Sequence, residues 1–365
     1  MRNHTRLAAV GNSQDEGVVV TGSEGVTGTM TAVVAEDYCR PEKFSVRRID
    51  IPVAGPGQIQ VRIRTAAVNP LDMHLVSGDL RESIPMEFPQ ILGNDFSGTV
   101  SGLGEGVTRY SVGDEVFGVA FPRCTIERVR IFSEPPSLTT GTLAEYAVFE
   151  ADSPVIAPRP AELDAERAAG LPMAGLTAIS AVRAGEFKAG DTVLVIGATG
   201  GVGNVVVPLL VSAGVRVIAT AMAEDQQYIR DRGAHEVIDY RAGDIADEAL
   251  KYSPDGVDGV INLALGDTLI DVVGRAVRSG GRVMTVSYTS PQGATFREDL
   301  TVKIIYAATQ PGDMADLIRQ TVEGSVPLPG IRRYPLGEGA KAFTDLVGLH
   351  TCGKLVVLPA LTSDA

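Results

Sequence analysis

Tryptophan is absent from the chain, and aromatic residues make up only 5% of it. An aromatic-cored β-sandwich fits that composition poorly; 41 glycines point instead to a glycine-punctuated α/β protein. Cysteine is nearly as scarce. Cys39, Cys124 and Cys352 are odd in number and widely spread, so they build neither a disulfide framework nor a Cys-x-x-Cys zinc knuckle. A reducing, cytoplasmic setting is expected. Positive charge is in deficit: 32 Lys and Arg against 45 Asp and Glu leave a formal charge of −13. Nucleic acid and anionic membrane are polyanions, so neither is an expected partner. Long apolar runs are missing too. The longest stretch, from Val205 to Ala223, is broken by Gly214 and Arg216 and reads as a buried helix followed by a strand. No basic start precedes an apolar core at the N-terminus, so no secretory signal is expected.

What is present suggests two domains, since a single core rarely grows to 365 residues. Residues 1–28 have no clean hydrophobic period and are expected to form a disordered extension. From Thr31 the texture is β: TAVVAE, FSVRRIDI and QIQVRIRTAAV, then FSGTVSGLGEGV, GDEVFGVA and LAEYAVFE, short strands separated by glycine-containing turns. The polar stretch from Phe121 to Thr140, with its Pro-Pro break, is expected to be a surface excursion or lid. Beyond Pro158 the pattern changes. TVLVIG, VRVIAT, HEVIDY, DGVINLA and GRVMTVS alternate with helical segments, as in a parallel sheet with crossover helices. The expected fold class is α/β: a doubly wound Rossmann sheet over residues 158–311, inserted in a β-rich domain over 29–157 and 312–365.

The strongest motif is VLVIGATGGVGNVVVPLL, Val193 to Leu210. A β-branched strand ends in Gly197-Ala198-Thr199-Gly200-Gly201-Val202-Gly203 and runs straight into an apolar helix. Glycines here allow a tight turn, close approach of backbone to a pyrophosphate, and close helix–strand packing. The helix N-terminus offers unpaired N–H groups to the phosphates. With a strand before and a βαβ run behind, the loop predicts a dinucleotide site; the competing reading is a structural glycine turn.

With these motifs in order, the chain resembles the medium-chain dehydrogenase/reductase superfamily, in its zinc-independent quinone oxidoreductase and enoyl reductase branch. The resemblance runs from about Met30 to Pro359 and rests on Ala67-Val68-Asn69-Pro70-Leu71-Asp72, Gly93-Asn94-Asp95-Phe96-Ser97-Gly98, Val112-Gly113-Asp114-Glu115-Val116, Ala144-Glu145-Tyr146, Leu176-Thr177-Ala178, the glycine loop, Ile238-Asp239-Tyr240 and Gly353-Lys354-Leu355. It implies a GroES-like catalytic domain beside the Rossmann domain, an active site in the cleft between them, and a homodimer. Zinc-dependent relatives place a Cys near Asn69 and a His-Glu pair at Asn94-Asp95, so no zinc is expected. The chemistry implied is hydride transfer from NAD(P)H to an enone, enoyl compound or quinone, followed by protonation of the enolate. Natural-product tailoring, in which hydride addition triggers ring closure, falls within the same chemistry.

The resemblance also assigns residues. Asn69 faces the nicotinamide and the substrate, where its amide would donate to a developing enolate oxygen; the alternative is a turn-former before Pro70. His74 stands where many relatives carry a tyrosine and is a candidate proton donor, against a plain pocket-lining or surface histidine. Thr177 and the segment Gly200, Gly201, Val202 and Gly203 are expected on the nicotinamide and pyrophosphate. Tyr240 is expected near the adenosine ribose, unless it is only a strand-end aromatic, and Ser287 and Tyr288 border the nicotinamide. NADPH is the cofactor by resemblance. The run from Thr220 to Glu224 and Asp225 puts acids where a basic or hydroxyl residue would hold the 2′-phosphate, which suggests NADH; the same acids also suit a helix N-terminus. Arg241, beside Tyr240, would restore an NADPH preference. The reading from a different class is a dinucleotide-binding protein with a structural or regulatory role and little turnover.

Overall fold

The computed structural model describes residues 19–21, 25–82, 86, 88–120, 141–286, 293, 295–305 and 309–360. Two sheets organise them. The α/β half carries six parallel strands, Thr192–Ile196, Arg216–Ala221, Glu236–Asp239, Val257–Asn262, Val277–Val286 and Thr301–Ile305. In space they follow the doubly wound order 3-2-1-4-5-6 of that series. The first strand, TVLVI, is a continuous apolar run because both its faces are covered. Val193 and Val195 pack on one side with Val206 and Leu210; Leu194 and Ile196 pack on the other with Ile218, Val260 and Val283. Chain order reverses beside this strand, so the loop that follows it opens at the switch point where such sheets bind ligands.

The β-rich half is a seven-stranded sheet in the order Ile156–Pro158, Glu115–Val119, Asp95–Leu103, Gln58–Ala67, Lys354–Leu358 and Ile331–Pro335, with Tyr146–Glu150 also paired to Gln58–Ala67. A smaller sheet holds Ser45–Asp50, Thr29–Ala35 and Gln90–Ile91. The last strand runs antiparallel to Gln58–Ala67, with Val356 opposite Ala67. The returning chain therefore sets Lys354 beside Val68 and Asn69, 285 residues away from the latter.

Two expected boundaries move. Strand Gly25–Thr27 pairs with Val19–Thr21, and Gln60 stitches it to the main sheet: Val26 N donates to Gln60 Oε1, and Gln60 Nε2 donates back to Val26 O, both at 2.8 Å. The β-rich half thus starts before residue 29, and 25–28 is not a disordered extension. At the other end, helix Asp313–Val322 belongs to the α/β core rather than to the β-rich domain. Met314 and Leu317 are buried with Val205 and Leu210, Arg183 pairs with Asp313, and a Cβ on Gly175 would meet Leu317 at 2.4 Å. The chain rejoins the β-rich sheet at Ile331. An amphipathic helix shows in sequence that it needs a core, not which core it takes. The stretch 121–140 lies outside the described residues, and no described helix is long and apolar enough to cross a membrane.

Candidate active site

The glycine loop is built around backbone close approach. Gly197 leaves the first strand at φ +81°, and a Cβ there would meet Ala264 at 3.1 Å. Helix Gly203–Ser212 begins so close to the strand end that a Cβ on Gly203 would sit 2.4 Å from Ala198 O. A Cβ on Gly201 would meet Lys354 Cδ at 2.7 Å. Asn204, on the first turn, donates from Nδ2 to Thr199 O and Gly200 O at 3.0 Å each, and Tyr228 OH donates to its Oδ1 at 2.7 Å. Asn204 therefore braces the loop from the helix side.

Opposite the loop, one cleft is walled by Val68, Asn69 and Pro70 of the β-rich half, with Thr351, Gly353 and Lys354 alongside. Asn69, two residues past strand Gln58–Ala67, is the extended N-cap of helix Pro70–Ser77, whose first position suits proline. Behind it lies a buried polar network. Asn69 N donates to Asp72 Oδ2 at 2.8 Å, and Asn94 Nδ2 donates to Asp72 Oδ1. Asp95 Oδ2 accepts from Asn69 Nδ2 at 3.0 Å and lies 3.5 Å from Lys354 Nζ; its Oδ1 accepts from Met173 N at 3.0 Å. Met173 stands in the first turn of helix Pro172–Gly185, where an anion is favoured. Lys354 Nζ also donates to Asn69 Oδ1 at 2.6 Å and to Val68 O at 3.2 Å. Burial pushes the Asp72 carboxyl up to about 7. Burial raises Asp95 as well, opposed by the Lys354 ammonium.

The structure brings Asn69, Gly200, Gly201, Val202 and Gly203 to one cleft. It gives Asn69 a different contact from the expected one. Its Nδ2 faces Asp95 and, at 3.5 Å, Ala67 O, so the amide protons point into the protein rather than toward an enolate. Thr177 is buried, and its hydroxyl donates to Met173 O at 2.7 Å in its own helix rather than into the cleft. Thr220 is likewise buried, and its Oγ1 accepts from Gly197 N at 3.0 Å, so it braces the loop. His74 lies on helix Pro70–Ser77 with Nδ1 2.8 Å from Asp79 Oδ2, and it is not among the cleft-lining residues. Asp225 pairs with His350, whose Nδ1 is 3.2 Å from Tyr240 OH, while Glu224 and Arg241 are exposed. Ser287 and Tyr288 lie outside the described residues. Lys354 and His350 were not singled out by the sequence. The Gly353-Lys354-Leu355 motif marks the segment, and a lysine inside an otherwise apolar strand is the local signal for it.

Comparison with known proteins gives a consistent picture. Residues 55–160 match the model of the alcohol dehydrogenase GroES-like domain, and residues 232–357 match that of zinc-binding dehydrogenases. An NADPH-dependent alkenal/one oxidoreductase of Arabidopsis thaliana is 29% identical over 361 residues, covering 97% of this chain and 86% of that protein. A mycocerosic acid synthase-like polyketide synthase of Mycolicibacterium smegmatis is 31% identical over 320 residues, although the chain spans only 14% of its length. The solved quinone oxidoreductase from Coxiella burnetii superposes with a TM-score of 0.75 at 26% identity, covering 90% of this chain and 99% of that one.

Proposed function

The chain belongs to the medium-chain dehydrogenase/reductase superfamily, in its quinone oxidoreductase and enoyl reductase branch, and from that premise we propose that it reduces an α,β-unsaturated carbonyl compound or a quinone with NAD(P)H. The observation that carries this reading is the convergence in one cleft of the braced glycine loop and the Asn69–Lys354 pair. A nicotinamide cofactor fits the cradle that Cβ atoms on Gly201 and Gly203 would fill. The loop N–H groups and the start of helix Gly203–Ser212 receive its pyrophosphate. When bound and reduced, the nicotinamide would supply the hydride, and Asn69 would line its part of the cleft. The NADPH-dependent relative favours NADPH as the physiological donor.

The reaction in this proposal runs without zinc. Asn69 and Asn94 are poor zinc ligands, and both Asp95 oxygens are engaged. The Lys354 ammonium also stands where a dication would have to enter, so these residues do not fit a zinc site. Among the described residues, the cleft lining holds no imidazole or phenol. Water is therefore the proton source in this reading, with His74 outside the chemistry. The partners are small molecules. A reducing cytoplasm and a homodimer through the edge strand Thr301–Ile305, where Ile304 is exposed, complete the proposal.

Oxidation of NADPH followed with a panel of enones, enoyl thioesters and quinones tests it. Turnover of at least one acceptor class is the expected result. Tight NADPH binding with no turnover would favour the structural or regulatory binder instead.

A further inference from the structure

A lysine opens the otherwise apolar strand Lys354–Leu358, and it is only 5% exposed. Burying an ammonium is costly unless it is paired and hydrogen-bonded. Here three acceptors surround it: Val68 O, Asn69 Oδ1 and the Asp95 carboxylate. We propose that Lys354 is a positioning residue for hydride transfer: its ammonium fixes which way the Asn69 amide faces, and its methylene stem ties that amide to the loop that seats the cofactor. The inference rests on the reading that the cleft takes a nicotinamide dinucleotide.

The orientation follows from donor and acceptor bookkeeping. An ammonium can only donate and an ionised carboxylate can only accept. Asn69 sits between one of each, so Oδ1 must turn to Lys354 and Nδ2 to Asp95. Remove the ammonium, and the carbonyl loses the donor that distinguishes one face of the amide from the other. The stem does a second task. Its Cδ occupies the space a Cβ on Gly201 would need, at 2.7 Å, and its Cγ lies 3.5 Å from the same point. Gly353, the preceding residue, donates from N to Thr199 O at 2.9 Å, so the strand start is anchored to the loop on both sides. Any shift of the loop on binding pyrophosphate is passed through this side chain to Asn69.

A purely structural lysine would only balance the buried charge of Asp95, and two variants separate the possibilities. Lys354→Met keeps the stem and leaves Asp95 unpaired, so its thermal midpoint drops and the acid limb of its kcat/KM profile moves to higher pH. Lys354→Met combined with Asp95→Asn removes both charges; the new amide's one carbonyl oxygen accepts from Met173 N, its Nδ2 faces Asn69, and loss of the unpaired charge recovers part of the midpoint. In that double variant we expect NADPH affinity, measured by calorimetry, to fall about tenfold and kcat to fall between about tenfold and a hundredfold, the scale of a small misplacement. Affinity for adenosine 2′,5′-bisphosphate, which lacks the nicotinamide, stays within about twofold of wild type. Wild-type NADPH affinity or wild-type kcat in the double variant overturns the proposal. The two affinities need no turnover, so a wild-type protein that binds NADPH but reduces no acceptor refutes the functional reading alone.

Discussion

His350 Nε2 donates a hydrogen bond to Asp225 Oδ2 across 125 residues of sequence. The carboxylate can only accept, which puts an imidazole proton on Nε2, and Nδ1 lies 3.2 Å from Tyr240 OH. Three residues on, Gly353 touches Thr199, and Lys354 touches Asn69. One returning segment therefore reaches from Asp225, just past the second parallel strand, through Thr199 of the glycine loop to Asn69.

This pairing bears on cofactor choice. Left free, Asp225 would repel a 2′-phosphate; a carboxylate about 5 Å from one phosphate charge costs ~3 kcal/mol at an effective dielectric of 20, and exposure and salt reduce that severalfold. In the fold, one of its oxygens is engaged by His350. We expect His350→Ala to lower kcat/KM for NADPH by about tenfold, the effect of roughly 1.4 kcal/mol, with NADH changed little. Adding Asp225→Asn to that variant should restore NADPH. Steady-state kinetics with both cofactors checks it, and an equal loss for NADPH and NADH would contradict the pairing as a specificity device.

Gly203→Ala should abolish cofactor binding. Its new Cβ would lie 2.4 Å from Ala198 O and 2.5 Å from Ala198 Cα, both backbone atoms that cannot swing aside. The helix start must move off the strand, and the N–H groups aimed at the pyrophosphate move with it. Calorimetric titration with NADPH reads the loss, with circular dichroism as a check that the sheet survives. Wild-type affinity would show that the pyrophosphate lies elsewhere.

These sites differ in how far the sequence revealed them. The glycine loop was legible because its constraint is local: strand, turn and helix are adjacent, and each close approach demands the same residue type. Five of the six parallel strands are legible for the same reason, through periodicity; the edge strand Thr301–Ile305 is not. Asn69 lines the cleft, yet the direction of its amide depends on Lys354, and no local pattern carries a contact over 285 residues. Asp225 suggested a free acid for the same reason, since its partner arrives from the end of the chain. Helix Asp313–Val322 shows the limit for packing: its apolar face was readable, the core it joins was not.

Asp72 supplies a pH signature. Its carboxyl ionises near 4 when unfolded and is pushed up to about 7 by burial. Between those values the folded protein holds a proton that the unfolded chain has released. Its contribution to stability is therefore full below about pH 4 and is lost as pH rises through about 7. Asp72→Asn cannot titrate, so the thermal midpoint of wild type minus that of the variant should shrink from pH 5 to pH 8. A difference that stays flat over that range would mean that Asp72 is ionised throughout.

His74→Phe should cost less than about tenfold in kcat, below the range typical of a general acid. The imidazole is already hydrogen-bonded to Asp79 at 2.8 Å and does not line the cleft. Comparison of kcat in wild type and variant decides it. A loss of about a hundredfold or more, with unchanged cofactor affinity, would return His74 to the role of proton donor.

Chelation provides the last test. A zinc ion held at about 2 Å by Asp95 Oδ2, itself 3.5 Å from Lys354 Nζ, would stand no more than about 5.5 Å from the ammonium, a repulsion of at least ~6 kcal/mol at an effective dielectric of 20. Deprotonating the lysine would relieve it, but the ammonium is held by Val68 O and Asn69 Oδ1 as well as by Asp95. The coordination energy available is also small, because the neighbouring side chains Asn69 and Asn94 are neutral amides and Asp95 Oδ1 is spent on Met173 N. Both terms oppose the metal, so the purified protein should contain no stoichiometric zinc by elemental analysis and should keep its NADPH-dependent activity in a strong chelator. One zinc per chain, with activity lost on its removal and regained on its return, would mean that Lys354 leaves the network in the working enzyme.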